Sequence, residues 1–274
     1  MVLESLIFPK KAEHRPWELL FLGALYASVG IFVALWVFRS EASMVMVLLT
    51  VIASMPLMYK TLKREEKKDM FISGERNLLR EHGKALKFLM YLFFGFIIAY
   101  AIWFIFLVPD VTQNLFKVQI NTINQINSRI IGNSVNNNVI FQIFFNNLKV
   151  LFFSITFAFF YGAGSIFILT WNASVIGVAI GKFAKDKLST LGSYFFSIPV
   201  AIGRYMTHGV FEVLAYFVGG LAGGIISVAI INHDINSDKF KVIVRDSIDL
   251  ILLSIVLLIV AALVEVFVTP VIFS

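Results

Sequence analysis

His208 and Glu212 stand four residues apart in one long apolar run, and Glu265 stands in another. Positions i and i+4 share a helix face, so His208 and Glu212 point the same way. Asn172 closes a third apolar run. An ionisable side chain within a membrane span is costly and marks a functional site by default. A His and two carboxylates out of water could handle protons or ions. They could also hold a metal with an open position, but no HExxH pattern or second His accompanies them, so the sequence points to no metal and no cofactor. The simplest alternative is interhelical glue, with a carboxylate bonding His208 or a hydroxyl such as that of Thr207. Such bonds contribute about 0.6 kcal/mol each in membranes. His14, His82 and His233 fall in polar segments and read as solvent-exposed.

The elements that must position these residues are membrane helices. Of 274 residues, 59% are hydrophobic and 15% charged, and the mean hydropathy is +0.86. A soluble domain of this length needs a larger polar shell. The 29 Phe suit lipid-facing and interhelical packing, and the absence of Cys excludes disulfides and thiolate metal sites. The first apolar run is long enough to span and lacks a small-residue cleavage site, so no cleavable signal is expected.

A helix needs about 20 apolar residues to cross the hydrocarbon core. Six spans are expected: Trp17–Phe38, Met44–Tyr59, Phe88–Val108, Val150–Trp171 (or from Val139), Gly209–Ile231 and Ile248–Val268. The fold class is therefore an all-α, polytopic membrane helix bundle. Its expected parts are an N-terminal hairpin with a charged loop, residues 1–87, and a transmembrane domain, residues 88–274. Residues 173–206 hold two apolar pieces around Lys185-Asp186-Lys187, each short for a span and broken by Gly and Pro. They read as interfacial or re-entrant, and one further crossing there would invert everything after it.

Basic residues collect in the cytoplasm. With six spans and both termini inside, about sixteen of the 23 Lys and Arg lie there. The loop Asn232–Ser247 argues against this, because Lys239, Lys241 and Arg245 would be outside. The same topology puts Asn172, His208, Glu212 and Glu265 together in the inner leaflet.

Residues 60–87 mix acids with bases and read as a solvated helical loop, or as a basic surface for anionic headgroups. Residues 110–147 are Asn-rich, with Ile120, Ile123, Ile126 and Ile130 at helical spacing. They read as an amphipathic helix on the outer face, or a docking surface for a partner, ending at Asn136-Asn137-Asn138. Gly219-Gly220 and Gly223-Gly224, like Gly162 and Gly164, fit close helix packing, or else a pore lining. No phosphate loop, dinucleotide fingerprint or nucleophile elbow is present, so no catalytic residue is expected. Asn172-Ala173-Ser174 matches a glycosylation sequon by chance, and nothing suggests nucleic acid.

Four blocks together resemble the stage II sporulation protein M family of integral membrane proteins. These are Asn146-Asn147-Leu148-Lys149-Val150, Trp171-Asn172-Ala173-Ser174-Val175-Ile176-Gly177, His208-Gly209-Val210-Phe211-Glu212, and the closing Ala262–Pro270 with Glu265, Thr269 and Pro270. Ala173 stands where the family usually has Gly, and the first 90 residues look more like its archaeal branch. The resemblance picks out the same polar residues. It implies a non-enzymatic anchor or scaffold: in endospore formers the family member helps assemble the peptidoglycan-degrading machinery of engulfment. The leading expectation is a scaffold in the cell membrane. Its partners would be the bilayer, a docked protein and a further copy of the chain in a homo-oligomer. The rival is a small transporter, channel or lipid-handling permease using the His/Glu cluster near 173–206.

Overall fold

A computed structural model describes residues 15–71, 75–133, 139–161, 164–232 and 237–273. His14, His233, Gly162 and the Asn136–Asn138 break lie outside them. The described residues are helical, with no strand among them. The helices are α1 (Glu18–Val37), α2 (Ala42–Phe71), α3 (Glu75–Phe106), α4 (Pro109–Leu115), α5 (Lys117–Asn133), α6 (Val139–Tyr161), α7 (Ser165–Leu191), α8 (Tyr194–Asn232), α9 (Asp238–Leu263) and α10 (Thr269–Ile272). A π-helical turn, Val264–Val268, joins α9 to α10.

Seven of these helices are long and apolar enough to cross a membrane, one more than the sequence suggested. The extra one comes from the expected span Val150–Trp171. That run straddles a turn: α6 ends at Tyr161 and α7 begins at Ser165. Gly164 beside the break, with apolar residues on both sides, hides the turn from a hydropathy reading. The segment 173–206, expected to be interfacial or re-entrant, belongs instead to two helices each long and apolar enough to span. Its first part continues α7 to Leu191, Gly192 caps that helix in the left-handed region (φ 71°), and the rest opens α8. Lys182, Lys185 and Lys187 interrupt the apolar pattern but are accommodated at the end of α7. Lys182 donates to Asn124 Oδ1 (3.2 Å), while Lys185 and Lys187 lie over the rings of Phe104 and Phe183.

The contacts fix the directions. Gly23 meets Gly95 and Phe32 meets Trp103, so α1 and α3 run parallel. Gly177 meets Ile97 and Gly181 meets Phe104, so α7 runs with α3. Gly219 meets Leu151 and Gly223 meets Ile155, so α6 and α8 run together. Arg204 bonds Phe273 O and His208 bonds Thr269, so α9 runs against α8. The seven helices therefore alternate in chain order. The start of α1 and the end of α9 lie at opposite ends of this alternating bundle, whereas the expectation of both termini inside rested on six spans.

Close approach holds this bundle together. A Cβ on Gly95 would fall 2.1 Å from Leu20 O, and one on Gly23 2.2 Å from Leu92 O, so α1 and α3 touch backbone to backbone. Added Cβ atoms on Gly219, Gly220, Gly223 and Gly224 would fall 2.4–2.9 Å from their neighbours. That stripe packs, as the simpler reading held. Tyr100 is buried, with its hydroxyl 3.0 Å from Thr50 Oγ1, and Trp103 Nε1–H donates to Ser28 Oγ (3.0 Å).

Two polar segments are more packed than composition suggested. Within 60–87, Glu65 and Glu66 are buried, and His82, expected to be exposed, is 1% exposed. Its Nδ1 lies 2.8 Å from Glu65 Oε2. The helices α2 and α3 extend far enough to cover one another there, which no charge count shows. In the Asn-rich segment, α5 is amphipathic as expected, with Ile123 buried and Asn121 exposed. It leans on the bundle, however. Gln119 is buried, accepts from Ser43 Oγ (2.8 Å) and donates to Ser174 Oγ (3.2 Å).

Candidate functional site

Where α6, α7, α8 and the end of α9 meet, they enclose a cavity of about 690 Å³. Asn147, Asn172, His208, Glu212, Tyr216 and Glu265 line it, and Phe141 and Phe145 stand on its α6 wall. Each helix delivers its residue for a local reason. His208, Glu212 and Tyr216 follow one another at four-residue spacing along one face of α8. Asn147 and Lys149 lie in the part of α6 that precedes Val150, where hydropathy alone starts the span.

Glu265 is placed by a distortion. Thr269 N–H bonds Val264 O, five residues back, and Pro270 has no N–H to return to Val266. The helix widens into a π turn over Val264–Val268. Thr269 Oγ1 also donates to Val264 O (3.2 Å). Such turns often occur at functional sites, and this one carries the carboxylate that faces α8.

His208, Glu212 and Glu265 each offer one ligating atom, all within 4.8 Å of one another. Two of these residues come from α8 and the third from the π turn after α9. Asn147 Nδ2 donates to Glu212 Oε1 in a short bond, and His208 Nδ1 lies 3.2 Å from Thr269 Oγ1. Thr207 is not part of the cluster, because its hydroxyl donates to Gly203 O (2.7 Å) in its own helix. Asn172 shares the cavity while its amide donates to Ile168 O (2.8 Å), again within its own helix. Among the described residues, no Lys or Arg lies within ion-pair distance of Glu212 or Glu265. Glu265 has no hydrogen-bond partner among them either.

The other motif residues separate by role. Asn146 and Asn147 line the cavity, whereas Gly177 packs against Tyr100 and Ile97, away from the cluster. Gly209 has only Met206 Cε near its Cβ position, at 3.8 Å, and Phe211 is not among the lining residues. The sequence pattern alone does not place Asn147, Tyr216 or Thr269 in the cluster. The i+4 step from Glu212 signals Tyr216, but the bonds of Asn147 and Thr269 depend on how the helices dock.

The stage II sporulation protein M family profile matches residues 24–270, nearly the whole chain. This chain belongs to the stage II sporulation protein M family. It is a multi-pass membrane protein of that family, as the four blocks suggested. A relative in Methanocaldococcus jannaschii, described as an uncharacterized protein, is 28% identical over 159 residues, covering 56% of this chain and 84% of the relative. That likeness accords with the archaeal branch. No solved structure matches the chain. All four polar residues of the family blocks, Asn172, His208, Glu212 and Glu265, reach the one cavity.

Proposed function

We propose that this stage II sporulation protein M family member is a non-enzymatic permease of the cell membrane, handling a small cationic solute. The observation that carries this reading is the cavity itself: two carboxylates and a His face it, on helices long enough to span, and although Lys149 also lines it, no basic group among the described residues lies within ion-pair distance of either carboxylate. Intramembrane carboxylates are normally paired or face water. A broken helix beside such a group is how transporters build cation sites, and the π turn at Glu265 supplies the break. Reconstituted in liposomes, the wild type is expected to carry a pH-dependent cation flux that Glu212→Gln abolishes. Equal flux in both proteins contradicts the reading.

Seven crossings keep a similar charge bias, about one basic residue smaller than with six. The face holding the start of α1 takes Lys10, Lys11 and Arg15, the nine basic residues of 60–87, and Lys239, Lys241 and Arg245. That makes fifteen of the 23, against eight toward the other end. Lys239, Lys241 and Arg245 now join the majority, while Lys182, Lys185, Lys187 and Arg204 leave it. This face is the cytoplasmic one by the positive-inside rule, and the cavity then belongs to the outer half of the membrane. The chain has no Cys, so single introduced cysteines report cleanly. With a membrane-impermeant maleimide on intact cells, Asn121→Cys is expected to label, and Lys67→Cys only after permeabilisation. The reverse pattern overturns the orientation, and equal labelling of both overturns the odd number of crossings.

A scaffold that docks a protein partner is the second reading. Family membership favours it, and Lys117 and Asn121 stand exposed on α5. A chain that never co-isolates with another polypeptide from native membranes counts against it.

A further inference from the structure

We infer that His208, Glu212 and Glu265 bind one divalent cation. The inference deepens the permease reading and rests on the same cavity, naming the ion held there. The sequence pointed away from a metal because three residues spread over 57 positions carry no ligand spacing. The structure supplies what spacing could not: one ligating atom from each, within 4.8 Å of the others. An ion at the centre of such a group lies about 2.8 Å or less from each atom, so side-chain adjustments of about half an ångström bring all three to the roughly 2.0–2.2 Å at which divalent ions bind N and O ligands.

Charge gives the second reason. Two carboxylates at membrane depth, with no Lys or Arg in ion-pair distance among the described residues, cannot both ionise without a counter-charge. A divalent cation cancels both, whereas a monovalent one leaves a net charge in a poorly solvated site.

The surroundings give a third. In metal sites the ligands are oriented by a further layer of hydrogen bonds, and a ligating His engages its other nitrogen. Here His208 Nδ1 faces Thr269 Oγ1 at 3.2 Å, and Nε2 has no protein partner among the described residues. Asn147 holds Glu212 by Oε1, leaving Oε2. Glu265, without a hydrogen-bond or ion-pair partner among the described residues, rides on a π turn. Each residue thus has an atom without a bonding partner among the described residues. One nitrogen and carboxylate oxygens, without sulfur, fit a borderline or hard ion such as Mn²⁺ or Zn²⁺ rather than a soft one. The remaining cavity volume leaves room for water or a second ligand on the ion.

The test titrates the full chain, purified in detergent, with Mn²⁺ and reads free Mn²⁺ by electron paramagnetic resonance. One Mn²⁺ per chain is expected. Glu265→Gln and His208→Ala should each weaken binding by about a hundredfold, and Thr269→Val by about tenfold. Asp110→Asn, an exposed carboxylate outside the cluster, should leave it unchanged. Elution profile and far-UV circular dichroism establish that each variant is folded. Absence of saturable binding in the wild type, or equal affinity in all folded variants, overturns the inference. Flux without Mn²⁺ binding overturns it and leaves the permease reading standing. Mn²⁺ binding without flux supports a resident ion and overturns the permease reading.

Discussion

Gly95→Leu is expected to unfold the N-terminal half of the bundle. The added Cβ alone would fall 2.1 Å from Leu20 O and 2.8 Å from Ala24 N, and both are backbone atoms of α1. A flexible side chain can step aside, but helix backbone cannot, so α1 must move away from α3. The paired Gly23, the Phe32–Trp103 contact at 4.6 Å and the Trp103–Ser28 bond lie on the same seam and loosen with it. Overpacking ordinarily costs about 1–3 kcal/mol, and separating a whole helix pair should cost more. Thermal unfolding in detergent reads this. Gly83→Ala is the control: nothing lies within 4 Å of its Cβ position. Alanine there should be neutral or stabilise by about 0.5–1 kcal/mol, because Gly weakens a helix interior. Equal stability of Gly95→Leu and Gly83→Ala contradicts the backbone contact.

Pro270→Ala is expected to separate function from stability. It restores an N–H that can bond Val266 O, and it removes the ring that crowds the preceding turn. The π turn over Val264–Val268 can then relax to regular helix, turning Glu265 away from Glu212 and His208. Flux is expected to fall by about tenfold or more, the range seen when residues that orient a site are changed. Melting temperature should hold or rise, since a helix interior gains a hydrogen bond. Undiminished flux means that the position of Glu265 does not depend on this turn.

Much of the fold is legible in the sequence, for physical reasons. Hydropathy over 20 residues reports burial in lipid, so the bundle and most of its spans are visible. Ionisable groups are rare in such runs, so His208, Glu212 and Glu265 stand out by residue type alone. Two kinds of information are not visible. A tight turn between two apolar helices has no polar signature, so the α6–α7 break at Gly164 reads as the middle of a span. Lys182, Lys185 and Lys187 read as solvent, although Asn124 and the rings of Phe104 and Phe183 receive them. Reading that turn as mid-span removes one of the seven helices long and apolar enough to cross. The second kind is distance. Sequence places Glu212 and Glu265 near a common depth, but only the docking of α8 on the end of α9 puts their atoms within 4.8 Å. The same holds for His82: its polar neighbours imply exposure, and the length of α2 and α3 buries it against Glu65.

The measurement that tests the central claim most directly pairs two readouts on Glu212→Gln and Glu265→Gln. Thermal stability in detergent is followed beside cation flux in liposomes. A structural cluster loses stability when a member is neutralised. A working site loses transport and keeps its fold, since Glu265 has no hydrogen-bond or ion-pair partner among the described residues to lose. The account predicts melting temperatures at or above wild type in Glu265→Gln, and loss of a wild-type flux in both variants. Destabilised variants with no flux from any protein, wild type included, would contradict it and leave the cluster as interhelical glue in a scaffold.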